Sequence, residues 1–300
     1  MMQEKENIQR LERLVTRFIT LVSKRLPDDV SGKLSELQSR ETNPMAQAIY
    51  QTMFDNIELA LALDRPVCQD TGVLQFFLRA GTGFPYLGAM ETVLRNAVRD
   101  ATVQAPLRHN AVETFDEFNT GDNTGRRVPW VDWEVVPCDS GLSMDVYMAG
   151  GGCTLPGTAK VLMPSAGYEG IVDYVLDAIV SYGVNACPPL LVGVGIATSV
   201  DTAAVLSKKA LMRKIGSRNP NAKAAKLEAL LTDGINRLGI GPQGLSGDSS
   251  VMGVHVEHAA RHPSAIGVAI NVGCWAHRRG SIRFAKDLSY EILTHKGVAL

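Results

Sequence analysis

Leu190-Leu191-Val192-Gly193-Val194-Gly195-Ile196 is an unbroken apolar run lying between two segments of helical periodicity, at 167–183 and 200–213. A short apolar run without polar alternation reads as a buried strand. Helical segments on both sides of it imply an α/β architecture. The same alternation extends outward in both directions. Downstream, residues 222–238 form a further helix, and Val251–Val256 and Ala265–Val272 read as strands on either side of Arg261-His262-Pro263. Upstream, strands are expected at Val73–Leu78, Trp130–Val136 and Leu142–Met148, with a helix from Tyr86 to about Val103.

Near the start, Ile8, Leu11, Val15, Phe18, Ile19 and Val22 share one helical face, and Pro27 helps to end that helix. Asn43 and Pro44 suit an N-cap and a first-turn position. The helix they open carries Met45, Ile49, Met53, Ile57 and Ala60 on one stripe and stops at Asp64-Arg65-Pro66. The expected fold is therefore α/β, with helices alternating with a mixed or partly antiparallel sheet. The 300 residues fit one large domain or two modest ones, and no repeat, low-complexity tract or linker divides them.

Composition narrows the function classes. The formal net charge is −1 and the basic residues are dispersed, which argues against a nucleic-acid surface. The N-terminus lacks the apolar core of a signal peptide, no later stretch is long enough to span a membrane, and five cysteines is an odd number. A cytoplasmic protein with reduced thiols is the expectation.

Three of those cysteines occupy unusual settings. Cys68 opens Cys68-Gln69-Asp70-Thr71-Gly72, Cys187 lies in Asn185-Ala186-Cys187-Pro188-Pro189 at the start of the buried run, and Cys274 follows the last strand in Gly273-Cys274-Trp275-Ala276-His277-Arg278-Arg279. A lone cysteine is most often a small buried hydrophobe, and no Cys-x-x-Cys pair is present. Three loop thiolates, on the other hand, can hold a metal centre with one position open to substrate.

Other signals fail on inspection. Gly193-Val194-Gly195-Ile196-Ala197-Thr198 lacks the third glycine of a dinucleotide fingerprint, and position 213 is Arg. A tight strand-to-helix turn is an equal explanation of its glycines. Ser249 lacks the final glycine of a nucleophile elbow. His255, His258 and His262 invite a metal reading, but the segment around His255 has strand character, so 255 and 258 would face opposite sides and at most one of the three is expected to be functional. His295 is expected at the surface.

Taken in order, Cys-Gln-Asp-Thr-Gly, Pro-Leu-Arg-His-Asn (106–110), Asn-Thr-Gly-Asp-Asn-Thr-Gly (119–125), Asn-Ala-Cys-Pro-Pro and Gly-Cys-Trp-Ala-His-Arg-Arg resemble the iron–sulfur hydro-lyases of the class I fumarase and tartrate dehydratase family. The resemblance runs from about residue 10 to 300. It implies a [4Fe–4S] cluster on Cys68, Cys187 and Cys274, with Cys138 and Cys153 outside the motifs. It implies that Gln69 and Arg108 bind a small dicarboxylate, and that Asp70 and His262 are catalytic. The physical chemistry agrees: Arg offers carboxylates a bidentate fork, and loss of hydroxide needs a Lewis or general acid at that oxygen. Each residue also has a plainer reading. Arg108 suits a surface ion pair, Asp70 a turn cap, and His262 a satisfied core ring, while Arg278 and Arg279 suit substrate, a partner chain or water alike.

Single-chain members carry a further C-terminal domain that supplies the proton-abstracting base. The resemblance here covers the larger α-type subunit of a two-subunit enzyme, expected as α2β2. It implies dehydration of L(+)-tartrate to oxaloacetate, with a two-chain fumarase as the other reading. Fumarases of this class usually carry Ser-Glu-Asn after the glycine run. Here Gly150-Gly151-Gly152 precedes Cys153-Thr154-Leu155, where Thr154 could bond the extra hydroxyl of tartrate.

Overall fold

The computed structural model describes residues 2–300. In chain order the elements are α1 (Met2–Lys24), α2 (Asp28–Arg40), α3 (Pro44–Ala62), β1 (Val73–Gly81), α4 (Met90–Gln104), β2 (Val112–Glu113), β3 (Phe118–Asn119), β4 (Trp130–Val136), β5 (Leu142–Ala149), α5 (Gly151–Thr154) and β6 (Thr158–Leu162). They continue with α6 (Gly167–Tyr182), β7 (Leu190–Ala197), α7 (Val200–Met212), α8 (Ala222–Arg237), β8 (Val251–His258), β9 (Ile266–Gly273), β10 (Arg279–Phe284) and β11 (Tyr290–Ile292). The α/β class with mixed sheets is as the sequence indicates.

The chain divides into two compact units. The first runs to Asp28, then takes Asn56–Gly150 and Arg278–Leu300; the second takes Asp29–Asp55 and Gly151–His277.

The first unit is built on a five-stranded sheet of order β11-β10-β5-β1-β4, in which only β1 and β4 run parallel. Leu74, Phe76, Leu78 and Ala80 of β1 and Leu142, Met144, Val146 and Met148 of β5 alternate onto one face. That face buries the apolar stripes of α1 (Leu11, Val15, Phe18, Ile19, Val22) and α4 (Val93, Leu94, Ala97, Val98, Ala101). Gly280 of β10 lets α1 approach, since a Cβ there would overlap Val22 and Phe18. The opposite face mixes polar side chains such as Gln75, Arg79 and Ser143 with the buried Phe77 and Tyr147. It carries Asp145, whose carboxyl burial pushes above the usual range against the opposing effects of the Ser281 hydroxyl and Arg279. His295 belongs to this unit and is fully buried, not at the surface. Its Nε2 is 3.1 Å from the Arg25 carbonyl, and desolvation lowers its pKa.

The second unit is a four-stranded sheet of order β6-β9-β7-β8. The apolar run that suggested the fold is β7, parallel to β8 and antiparallel to β9. Leu190, Val192 and Val194 pack with α6 and α8 residues such as Val175, Ile179, Leu231 and Ile235. Gly193 and Gly195 face α7 instead, where a Cβ would collide with the backbone of Ser207 or Ala203. Close helix packing, rather than a turn, is what those glycines serve.

Residues 29–55 join this unit through Glu41. Its buried carboxylate accepts the N–H groups of Thr42, Asn43 and Asp248 at 3.0–3.1 Å. In α3, the Asn43 side chain caps the N-terminus by accepting from Met45 and Ala46. The buried stripe there is Ala46, Tyr50, Met53 and Ala60, and Met45 is exposed.

Candidate active site

The Cys68 segment has no regular structure; it fills the loop between α3 and β1. Several short bonds fix it. The Thr71 hydroxyl accepts the Arg108 N–H at 2.9 Å. Asp70 Oδ1 accepts the Gly72 N–H at 3.1 Å and the Asn110 side-chain amide at 3.2 Å. Gly72 takes φ 78°, and a Cβ there would meet the Ala149 backbone. The turn-capping reading of Asp70 is thus correct as far as it goes. The carboxylate also lies against Gly150, where a Cβ would sit 2.7 Å from Oδ2. The glycine run leaves that oxygen facing bare backbone.

Arg108 is placed by its main chain. Its N–H is held by Thr71, its carbonyl accepts from the Asn123 amide at 3.0 Å, and its side chain is exposed. Asn123, 1% exposed, ties the 119–125 loop to this segment: its Oδ1 accepts the Asn110 N–H at 2.7 Å and its amide donates to Thr102. The sequence marked that loop without marking Asn123. A left-handed φ of 59° at a non-glycine residue suits Asn and is the signal for it.

Arg278 also belongs here. It is 2% exposed, and its Nη2 donates to the Asp70 carbonyl at 2.6 Å. Arg279 is equally buried, so neither arginine simply faces water. The first unit therefore gathers Cys68, Asp70, Arg108 and Arg278, with Gln69 exposed next to Asp70.

The second unit holds Cys187, Cys274 and His262. Cys187 ends a short turn in the left-handed region, φ 53°, and its carbonyl accepts the Trp275 N–H at 3.2 Å. That bond joins the Cys187 loop to the segment after β9, where Cys274 is buried. His277, next along, is buried with Nε2 2.9 Å from the Leu211 carbonyl, a structural role. His262 is exposed rather than in a core. Its Nδ1 accepts the Ser264 N–H at 3.1 Å, so the neutral ring carries its proton on Nε2. Arg261 steadies the loop by donating to the His262 and Pro263 carbonyls. His255 is buried on Ala210 and His258 is exposed, leaving no shared ligand face.

No cysteine forms a disulfide, and Cys138 is exposed while Cys153 is buried. Among the described residues, no group of three His, Cys, Asp or Glu side chains converges as for one metal ion. A four-iron cluster has a different requirement, since each thiolate binds its own iron. Separate loop thiols, two of them on hydrogen-bonded loops, have the donor chemistry for such a cluster.

The chain is 60% identical to the L(+)-tartrate dehydratase subunit alpha of Escherichia coli strain UTI89, over 99% of its length and 98% of that protein's. It is 59% identical over the same shares to the subunit of that name from strain K12. It is 36% identical to a putative L(+)-tartrate dehydratase subunit alpha of Methanocaldococcus jannaschii, over 87% of this chain and 93% of that protein. The family described as fumarate hydratase (Fumerase) matches residues 12–283, and the chain belongs to that family.

Proposed function

We propose that this chain is the α-type subunit of a hydro-lyase that dehydrates L(+)-tartrate to oxaloacetate and water. The observation that carries the proposal is 60% identity, over nearly the full length of both chains, to proteins named as the alpha subunit of that enzyme. A two-chain fumarase is the second reading, favoured by the family's own description.

In this proposal Cys68, Cys187 and Cys274 hold a [4Fe–4S] cluster. Bound there, the cluster would supply a Lewis acid for the departing hydroxyl. Arg108, anchored through its peptide with its guanidinium exposed, orients one carboxylate of the substrate. Gln69 bonds the same ligand. His262 is one candidate proton carrier for the leaving oxygen: the Ser264 N–H occupies Nδ1, so Nε2 is the atom that would exchange the proton, as imidazolium before delivery and neutral ring after it. Asp70 is the second candidate proton carrier, held against Gly150 by Gly72 and Asn110. The proton on carbon is taken by a base from a smaller β subunit, and the resulting enol tautomerises to oxaloacetate. An α2β2 assembly in the cytoplasm accords with this reading, and no helix among the described residues is long and apolar enough to cross a membrane.

The test is anaerobic co-expression with the candidate β chain, followed by assay on tartrate, malate and fumarate. Dehydration of L-tartrate well above hydration of fumarate is expected. Faster turnover of fumarate overturns the substrate, and full turnover by the isolated chain overturns the two-subunit reading.

A further inference from the structure

Arg278 presents an unresolved electrostatic problem. Its side chain is 2% exposed, and Nη2 alone is satisfied, by the Asp70 carbonyl at 2.6 Å. Nε and Nη1 are buried and have no hydrogen-bond partner among the described residues. A guanidinium stays charged, so burying it without full compensation is unfavourable. Folds keep such a group where something else supplies the missing negative charge. Its location indicates what. The carbonyl it holds is two residues from Cys68, and Arg278 itself follows Cys274 by four residues.

We infer that Arg278 is a positioning residue for the metal centre. Nη2 fixes the Cys68-Gln69-Asp70 peptide, and Nε and Nη1 provide donors and positive charge to the electron-rich sulfur of the thiolate-bound cluster. The inference rests on the cluster assignment above. It adds to that assignment a trade-off that a purely structural arginine would not show. Without metal the cation is a liability, and replacing a buried charge by an apolar side chain of similar length is commonly neutral or stabilising. With metal it is an asset, and loss of an outer partner of a metal ligand costs roughly ten- to hundredfold in metal retention.

The experiment compares full-length wild type, Arg278→Met and Arg278→Lys, each prepared metal-free and each reconstituted anaerobically with iron and sulfide. Thermal unfolding of the metal-free proteins and the rate of iron release to a chelator from the reconstituted ones are measured. Metal-free Arg278→Met is expected to melt no lower than wild type. Reconstituted Arg278→Met is expected to release iron at least about tenfold faster, with Arg278→Lys between the two. An Arg278→Met protein that melts well below wild type when metal-free, or fails to fold, overturns the inference, because the arginine is then simply structural. Wild-type iron release from either variant overturns it as well. A wild-type chain that takes up no iron refutes the cluster assignment itself, and the inference falls with it; that failure is distinguishable because it appears before any variant is made.

Discussion

The two roles of Asp70, capping a turn and carrying a proton, separate under the substitution Asp70→Asn. In the structure Oδ1 accepts from the Gly72 N–H and the Asn110 amide, and the Arg278 guanidinium holds the peptide carbonyl, which no side-chain change touches. Asparagine keeps an amide oxygen for both Oδ1 bonds, so the turn that positions Cys68 should survive the change. It cannot carry a proton. Loss of general acid–base catalysis is worth roughly 10²- to 10⁴-fold in turnover. At 1.36 kcal/mol per decade that is about 2.7–5.4 kcal/mol of barrier. Asp70→Ala differs in a useful way. It removes the acceptor and leaves the Gly72 N–H and the Asn110 amide without it, for about 1–2 kcal/mol of stability at a half-buried site. Urea denaturation and turnover of the iron-loaded, β-paired enzyme should be measured on both variants. If Asp70→Asn retains more than about a tenth of wild-type turnover at matched iron content, Asp70 is a turn cap and the proton belongs elsewhere.

Cys187→Ser is expected to lose bound iron, whereas Cys138→Ser, on an exposed turn between β4 and β5, should keep the wild-type content; equal iron in both would undo the ligand set. Glu228→Ala removes a buried carboxylate that accepts Arg213 Nη1 at 2.7 Å, the Val256 N–H at 2.9 Å and the Asn219 N–H at 3.0 Å. Breaking it should cost about 3–5 kcal/mol in urea denaturation, and a loss below about 1 kcal/mol would contradict its structural role. Burial lowers the pKa of His295 from its ordinary 6.5, so the unfolded chain binds this proton more tightly than the folded one. Its contribution to stability is present above pH 6.5 and is lost as pH falls toward the folded pKa. Unfolding free energies measured across that range should decline with acid in wild type, and less steeply in His295→Gln.

The α/β class was legible because β7 is apolar throughout and its neighbouring helices carry clear stripes. α2 was missed: Val30, Leu34 and Leu37 are its buried apolar residues, too sparse to stand out in Asp28–Arg40. β10 was missed because Arg-Gly-Ser-Ile-Arg-Phe hides its inward face, where Gly280 stands in place of a side chain so that α1 can approach. On α3 the stripe was right at Met53 and Ala60 but displaced by one residue at the start, where Ala46 and Tyr50 are buried and the larger Met45 is exposed. At the site, the motifs named the loops, and nothing local could say how they are fastened. Asn123 works through Arg108 and Asn110, and Arg278 through Asp70, across 15 and 208 residues of sequence in the two outer cases. Burial of His295 and Arg279 depends on equally distant packing, which proximity to a terminus or to another charge does not reveal.

The interleaving of the two units bears on how the protein is made. In the first unit, β10 (Arg279–Phe284) pairs with β5 (Leu142–Ala149), and the whole second stretch of the other unit is translated between them. A ribosome must therefore have translated past Phe284 before this sheet can gain its fourth strand, and past Ile292 before it gains its fifth. Until then β5 presents an open edge flanked by apolar residues, a template for pairing with another nascent chain. Closure over so long a separation is slow. The polypeptide should thus lean on holding chaperones during synthesis, and expression at lower temperature, with slower elongation and weaker hydrophobic association, should raise the yield of folded protein.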